Sequence, residues 1–505
     1  MKNRLPILIF VVFILTITIP VIFGWIYADG YIFGGFVANP IDGQSYLAKM
    51  KEGYDGAWLF QLPFTSHPGD GQPLFLLYIF LGHISKFFGL PLIFVFHLSR
   101  VLSAGFLAFT LWVLIHKCVR LPLVNKSWAL LLFGSGMGWL LILFSRNLPI
   151  DFYVAEMYPF LSAYTNPHFP LSIGILLWLF ILSLEFDPKR GFLVLFVGGV
   201  LLCVILPFGI VLFACVYGCM FVSSLFEKKP VSLQPMVSVL LGGGILLLYE
   251  FYIIRKDPVL SLWDKQNITA APDIITLLMG LLPCLFLVVI GARTLFKNEL
   301  NPYLKLLFFW LCIGIILTYI PFNLQRRFLT GLYIPLAILG IVFLDTLQIN
   351  RYRKNLIYAI ILIVSIISNL LLVFNGMPVG KQNEALLFLD QSEYNGLLWV
   401  SNHTDTNTVV LASAETSLFI PGMTGSRVVY GHPFETVNAD VQKELVNRFF
   451  RGGMGSTEEK DFLEDNEVKY IVSGPREKDL GNLTIKSNWY PVYAEKDISI
   501  YEIRK

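Results

Sequence analysis

The chain has 505 residues, of which 55% are hydrophobic and only 14% are charged, and its formal net charge is +3. Soluble domains carry about 25% charged residues, so this composition excludes an ordinary soluble enzyme and indicates a membrane protein. The small net charge gives no reason to expect a nucleic-acid partner. All six cysteines lie in or beside apolar stretches, so neither a disulfide framework nor a zinc site is predicted.

Apolar stretches follow one another up to residue 376, and each is close to the roughly 20 residues that an α-helix needs to cross a bilayer. They predict a polytopic α-helical membrane domain over 1–375, with about 11 to 13 spans. The first apolar run, 5–27, follows a basic flank and is too long for a typical signal peptide. The positive-inside rule places that flank in the cytoplasm. We therefore expect a multi-pass protein of the plasma membrane with a cytoplasmic N-terminus.

Short basic connections set the rest of the topology. The same rule assigns to the cytoplasm the connections at 116–126, 187–190, 227–230, 297–305 and 350–355. The segments left for the outer face are 28–72, 148–168, 256–272, 321–327 and the tail. A single span is expected at 127–147. Residues 73–117 connect a segment assigned to the outer face with one assigned to the cytoplasm, so they must cross the membrane an odd number of times. They contain two apolar runs, which leaves the span count open.

The tail from 376 to 505 reads as a soluble, extracytoplasmic α/β domain. Runs of β-branched and aromatic residues predict strands at 408–412, 427–430 and 468–472. Helical patterns occupy 383–398 and 439–450. The residues after two of these strands, 430–440 and 472–477, are expected either to line a ligand crevice or, in the first case, to cap the following helix.

The first outer loop, 28–72, concentrates polar residues just outside the first span. Its segment 43–51 is predicted to form a short helix along the membrane surface, with Asp42 at the N-terminal end. A carboxylate there is favoured by the helix dipole and by capping, so one interpretation is that Asp42 only caps the helix. The functional interpretation is that Asp42 serves as a general base.

A second outer segment, 151–170, combines the carboxylates Asp151 and Glu156 with three tyrosines and His168. Aromatic girdles at the membrane surface need Tyr or Trp, but they do not need His and Glu. Glu156 and His168 are therefore candidates for sugar or metal contact. A girdle with incidental polar residues is the alternative.

Arg326 and Arg327 lie together at the outer end of a late span, against the positive-inside bias. The planar donor fork of arginine suits phosphate oxygens, so we interpret this pair as an anion site. Snorkelling to lipid headgroups is the alternative interpretation.

These pieces resemble the GT-C class of membrane glycosyltransferases, in which a short N-terminal helix leads to a large outer loop with an essential acidic residue. The matching pieces are Asp42 with Tyr46, the turn at 53–58, and His67-Pro68 continuing to Pro73-Leu74. Residues 69–72 intervene before Pro73, where the class has a shorter element.

The resemblance implies a glycosyltransferase that moves a sugar from a polyprenyl-phosphate-linked donor to an acceptor at the outer face. Asp42 would be the general base, Tyr46 and His67 would contact substrate, and Arg326 or Arg327 would neutralise the lipid phosphate. It leaves open a divalent metal held by Asp42, Asp151 or Glu156, although the sequence has no Asp-x-Asp spacing. Neither the sugar nor the acceptor is specified.

Two other functions fit the composition. A secondary transporter or lipid flippase would show inverted repeats and ionisable residues at the bilayer midplane, whereas the polar clusters here lie at one predicted face. A catalytically inactive GT-C-like assembly protein is the other alternative. The enzyme hypothesis requires Asp42 and the two arginines to face one pocket.

Overall fold

The computed structural model describes residues 4–144, 148–189, 191–229, 231–297, 300–382, 384–481, 483 and 485–504, with the side chains of 293–297 left aside. Arg190, Pro230 and residues 298–299 of the predicted cytoplasmic connections lie outside the described residues, as does Asn383 of the predicted tail helix. The division of the sequence into 1–375 and 376–505 stays a prediction.

The chain forms two compact units. Unit 1 comprises Met1–Pro20, His97–Tyr249 and Thr269–Gly376, and unit 2 comprises Val21–Phe96, Glu250–Ile268 and Met377–Lys505. Unit 2 therefore contains both the first outer loop and the tail.

Long apolar helices confirm the predicted polytopic membrane architecture. In the part of the chain described, six helices are long and apolar enough to cross a membrane: Leu5–Ile26, Leu92–Cys118, Phe208–Phe226, Gln234–Lys256, Gln325–Thr346 and Arg351–Asn375. The pair Ile274–Leu281 and Cys284–Ala292, bent by 87°, is a seventh candidate. Five shorter apolar helices are Leu76–Phe88, Leu121–Phe133, His168–Leu184, Gly191–Ile205 and Pro302–Thr318. The predicted 11 to 13 spans are reached only when these shorter helices are counted.

The expected span at 127–147 is wrong, because the helix Val124–Phe133 ends there and only a short turn of helix, Trp139–Ile142, follows. The glycine-rich stretch between them touches other backbone. A Cβ on Gly136 would lie 2.3 Å from the carbonyl oxygen of Gly280. The amide of Met137 donates to the carbonyl of Met279 at 2.9 Å. Non-helical backbone at membrane depth is tolerated where protein groups satisfy it in this way.

Shorter helices complete unit 1 and position its polar residues. They are Ile150–Tyr153 and Pro159–Thr165. The long span Gln325–Thr346 begins with the 3-10 helix Gln325–Leu329 and continues as the α-helix Tyr333–Thr346. A π-helical turn, Leu240–Gly244, lies within the long helix Gln234–Lys256.

Unit 2 contains all seven strands of the described chain, named in chain order β1 (Ile32–Phe33), β2 (Phe388–Leu389), β3 (Val409–Leu411), β4 (Arg427–Val428), β5 (Val468–Ser473), β6 (Trp489–Glu495) and β7 (Ile498–Ile503). Five of them form a sheet in the order β4-β3-β5-β7-β6, and β1 pairs with β2. The contacts of β3 with β4 and β5 are parallel, whereas β7 is antiparallel to both neighbours. The three predicted strands are confirmed as β3, β4 and β5.

Unit 2 also contains these helices: Pro40–Asp55, Leu76–Phe88, Pro258–Gln266, Gln391–His403, Ala414–Ser417, Ile420–Thr424, Ala439–Phe450, Ser456–Asp465 and Pro475–Leu480. The predicted helix at 439–450 is confirmed with the same limits. Buried aliphatic and aromatic side chains such as Val410, Val472 and Ile500 form the core.

The first-loop helix, Pro40–Asp55, is longer than predicted and packs tightly on the apolar helix Leu76–Phe88. Glycines permit the crossing, because a Cβ on Gly53 would lie 2.0 Å from the carbonyl oxygen of Ile79. A Cβ on Gly82 would lie 1.9 Å from the carbonyl oxygen of Met50. The two backbones are thus in direct contact, as at small-residue helix crossings in membranes.

Candidate active site

In unit 1, Glu156 lies in the turn between the helices Ile150–Tyr153 and Pro159–Thr165 and is only 1% exposed. Its Oε1 accepts from Arg327 Nη1 at 3.2 Å and from Arg326 Nε at 3.4 Å. The two guanidinium side chains are 22% and 27% exposed. A single buried carboxylate thus faces two partly exposed cations, which leaves one positive charge uncompensated within this cluster.

Packing holds both arginines in place. Arg326 and Arg327 lie in the 3-10 helix Gln325–Leu329. The amide of Arg326 donates to the carbonyl of Thr269 at 3.1 Å. The Arg326 guanidinium lies 5.4 Å from the ring centroid of Tyr153, and that of Arg327 lies 5.5 Å from the ring of Phe169. Stacked guanidinium groups keep their fork oriented, which suits recognition of an oxyanion.

His168 opens the helix His168–Leu184, and its ring centroid lies 4.0 Å from that of Phe169. It therefore neighbours the aromatic ring that Arg327 covers. The structure brings Glu156, Arg326 and Arg327 together and places His168 beside them. Sugar contact by Glu156 or His168 stays a prediction, and the contacts of Glu156 assign it first to the arginines.

Asp151 is fully buried, and its environment is structural. Its Oδ2 accepts from the amide of Gly138 at 3.1 Å and from Ser368 Oγ at 2.6 Å. Burial raises the pKa of Asp151 from 3.8 to about 6, although these two hydrogen bonds oppose the shift. Among the described residues, no group of three or more His, Cys, Asp or Glu side chains is arranged to hold a metal ion. Metal binding by Asp42, Asp151 or Glu156 therefore stays a prediction without a ligand set.

In unit 2, Asp42 lies in the first turn of the first-loop helix, with 41% of its side chain exposed. Asn39, and not Asp42, is the N-cap residue. Asn39 Nδ2 donates to Asp42 Oδ2 at 2.5 Å, and His432 Nε2 lies 3.4 Å from Asp42 Oδ1. Asp42 is therefore not the N-cap residue itself, but it binds the N-cap side chain in the first turn, where the helix dipole favours a carboxylate, so a structural role at the helix end and a role as base both stay predictions.

Tyr46 and His67 have packing contacts of their own. The ring of Tyr46 stacks on that of Tyr78 with centroids 4.4 Å apart. His67 Nε2 donates to the carbonyl oxygen of Asp465 at 2.7 Å. His67 also lines a cavity of about 720 Å³, together with polar side chains such as Asn438 and Glu458. Substrate contact by Tyr46 and His67 stays a prediction.

Sequence reasoning missed a buried ion pair in unit 2. Lys49, in the first-loop helix, is fully buried and lies 2.6 Å from Oε1 of Glu435 in the tail. Burial raises the pKa of Glu435, but the charge of Lys49 and hydrogen bonds from Lys49 and Ser45 lower it, and the pKa is lowered overall. The position of segment 430–440 after a predicted strand draws attention to the region of Glu435. The sequence around Lys49, by contrast, gives no sign that this residue is buried.

The helical membrane architecture and the small α/β domain together define the GT-C fold, which membrane glycosyltransferases share. No protein-family model and no curated protein sequence matches the chain. The evidence for the fold comes from solved structures.

Two archaeal structures and one bacterial structure carry that evidence. The oligosaccharyltransferase of Archaeoglobus fulgidus, tethered to an acceptor peptide with an NVT sequon, matches with a TM-score of 0.56 and 12% identity, over 100% of this chain and 74% of the other. The archaeal oligosaccharyltransferase AglB from Archaeoglobus fulgidus, in complex with an inhibitory peptide and a dolichol-phosphate, matches with a TM-score of 0.53 and 11% identity, over 94% of this chain and 70% of the other. ArnT from Cupriavidus metallidurans bound to undecaprenyl phosphate matches with a TM-score of 0.52 and 12% identity, over 96% of this chain and 97% of the other. At these identities the likeness establishes the fold.

Proposed function

We propose that this protein is a glycosyltransferase that moves a sugar from a polyprenyl-phosphate-linked donor to an acceptor at the outer face of the membrane. The observation that carries the proposal is the cluster of Arg326, Arg327 and Glu156 on a GT-C fold. Two of the similar structures hold a prenyl phosphate, dolichol-phosphate or undecaprenyl phosphate. The uncompensated positive charge of the arginine cluster suits such a group.

The proposed reaction uses one base and one anion site. Asp42 takes the proton of the acceptor hydroxyl while the hydroxyl oxygen forms a bond to the anomeric carbon of the donor. The bond between that carbon and the phosphate oxygen breaks, and the electron pair leaves with the lipid phosphate. Arg326 and Arg327 stabilise the charge that grows on the leaving phosphate. Both groups must reach one donor molecule.

The orientation belongs to the proposal as well. The N-terminus would be cytoplasmic and the tail extracytoplasmic, in the plasma membrane, as the basic connections indicate. The donor's prenyl chain would lie among the apolar helices. Accessibility of single cysteines in the tail to a membrane-impermeant maleimide in intact cells tests this orientation, and labelling only after lysis would contradict it.

Replacement of the proposed base tests the function most directly. We expect Asp42→Asn to lower kcat by about 10²- to 10⁴-fold, because the amide cannot accept the hydroxyl proton. The assay uses purified protein in vesicles with a panel of undecaprenyl-phosphate monosaccharides, and it follows release of undecaprenyl phosphate and formation of a glycosidic product. The matched control is Asp70→Asn, an exposed carboxylate of the same loop.

Three outcomes would contradict the proposal or a part of it. Full transfer by Asp42→Asn would remove Asp42 from the mechanism. Accumulation of a lipid or solute inside the vesicles without any new glycosidic product would favour the transporter. Transfer from a water-soluble nucleotide sugar in vesicles free of prenyl phosphate would contradict the proposed donor.

A further inference from the structure

A tail loop, defined as residues 431–438, presents a buried histidine to Asp42. His432 is 1% exposed, and its Nδ1 accepts two hydrogen bonds, from the amides of Phe434 and Glu435, both at 3.1 Å. An imidazole nitrogen that accepts hydrogen bonds carries no proton, so the proton of neutral His432 resides on Nε2. This nitrogen is buried without a hydrogen-bond partner among the described residues, and it lies 3.4 Å from Asp42 Oδ1.

The tail loop is held by the side chain of Gln266 and by a hydrogen bond within the loop. The side chain of Gln266 donates to the carbonyls of Phe434 and Thr436, at 3.2 and 2.5 Å, and accepts from the amide of Asn438 at 3.2 Å. Thr436 Oγ1 accepts from the amide of His432 at 3.3 Å. Every one of these bonds constrains the backbone that carries the imidazole.

The loop is also fastened to the helix that carries Asp42. Glu435 Oε1 accepts from Lys49 Nζ at 2.6 Å and from Ser45 Oγ at 2.7 Å, and both donors belong to the first-loop helix. Ser45 and Lys49 lie one and two helical turns after Asp42 on the same helix. The distance between His432 and Asp42 is thus set by a buried ion pair rather than by the imidazole alone.

We infer that His432 is a positioning residue for Asp42, supplied to the first loop by the tail. The inference rests on the proposed role of Asp42 as the base. Asn39 Nδ2 binds Oδ2 of Asp42, and the unpartnered His432 Nε2 lies 3.4 Å from Oδ1, so a small adjustment lets the imidazole donate to the second oxygen and hold the carboxylate plane. The proton goes from the hydroxyl to Asp42, and His432 stays neutral throughout.

Two conservative variants separate positioning from loop stability. His432→Asn keeps an oxygen near the Nδ1 position, where it can accept from the amides of the loop, but it removes the donor toward Asp42. His432→Gln places an amide N–H near the Nε2 position and gives up the acceptor at Nδ1. We expect His432→Asn to lose kcat by about 10- to 100-fold with little change in donor KM or thermal stability. We expect His432→Gln to retain most of kcat at lower stability.

A double-mutant cycle completes the test, with undecaprenyl-phosphate monosaccharides as the probe. In the Asp42→Asn background, His432→Asn should cost less than twofold, because the residue that it positions has lost its function. Equal losses in both backgrounds, or activity that follows stability across the two His432 variants, would overturn the inference. Full activity of Asp42→Asn would instead overturn the proposed function, so the two failures are distinguishable.

Discussion

Glu156 in unit 1 and Glu435 in unit 2 are both buried carboxylates bound by basic side chains, and they differ in the number and exposure of their partners. Glu435 meets one lysine that is fully enclosed, and the two charges cancel. Glu156 meets two arginines that are each about a quarter exposed. The comparison teaches that burial of the acid alone does not distinguish a structural ion pair from a ligand site.

The charge balance makes the distinction. A closed pair with equal charges, such as Lys49 and Glu435, fixes one segment against another and offers nothing to a ligand. Glu156 instead binds two partly exposed guanidinium groups, so one positive charge of this cluster stays uncompensated, as the proposed anion site requires. The predictions below test whether the pair of Lys49 and Glu435 affects stability and whether the cluster around Glu156 affects turnover.

The largest effect is expected from removing both arginines. Arg326→Ala/Arg327→Ala should lower kcat by about 10³-fold or more, because loss of one such donor costs about 10²- to 10³-fold. The measurement is turnover of undecaprenyl-phosphate monosaccharides together with binding of undecaprenyl phosphate. Arg448→Ala, which breaks an exposed pair with Glu458 in the tail, is the control and should leave both unchanged. Unaltered phosphate binding by the double variant would refute the anion site.

The next effect concerns the closed pair. Lys49→Met should destabilise the protein by about 3–5 kcal/mol, because it leaves Glu435 buried without its counter-charge. Lys49→Met/Glu435→Leu should recover much of that loss. Urea unfolding followed by tryptophan fluorescence measures both. Lys51→Met removes a more exposed pair with Asp55 on the same helix and should cost about 0.5 kcal/mol. Equal costs at positions 49 and 51 would contradict the assignment.

A smaller effect is expected at Glu156. Glu156→Gln should lower kcat by about tenfold, because the amide binds the two arginines less strongly than a carboxylate does. The factor should be the same for every sugar in the donor panel, since Glu156 acts through the arginines. A loss confined to one sugar would support the earlier prediction that Glu156 contacts the sugar directly.

The smallest effect separates a structural acid from a metal ligand. The pKa of Asp151 is raised to about 6 in the folded protein, against 3.8 ordinarily, so its ionisation opposes folding. Its contribution to stability should therefore fall as the pH rises from about 4 to above 6. Asp151→Asn should raise the melting temperature relative to the parent protein at pH 7.5 and not at pH 4, with transfer retained. If Asp151→Asn lost transfer, and if added Mg²⁺ or Mn²⁺ changed that loss, a metal role would be supported.

Local pattern predicted much of the fold. Apolar runs of near-membrane length indicated the polytopic helical architecture, and β-branched runs indicated three strands of the tail sheet. The break after Phe133 was not predictable from hydropathy, because it depends on the contact between Gly136 and Gly280, which are far apart in sequence. The hairpin of β6 and β7 escaped notice, since Pro491 interrupts its first strand.

The candidate site was predictable to a lesser degree. Two adjacent arginines outside the expected leaflet stand out in the sequence, so Arg326 and Arg327 were found. The sequence marks their shared partner Glu156 only as an unexpected acidic residue in an aromatic segment, and it does not predict the pairing with the arginines. Lys49 was missed, because its partner lies 386 residues away and its own neighbours resemble an ordinary helix. Long-range pairing of single charges leaves no periodicity to detect.

That separation along the chain also bears on biosynthesis. Lys49 emerges from the ribosome long before Glu435, and at about 5–20 residues per second the delay is roughly 20 to 80 s. During this interval the ammonium group of Lys49 lacks the carboxylate with which it pairs in the folded protein. The first loop therefore cannot bury this charge. A chain that stops short of the tail would keep the loop in that immature form. The first loop can therefore reach its final packing around Lys49 only after the tail has been synthesised.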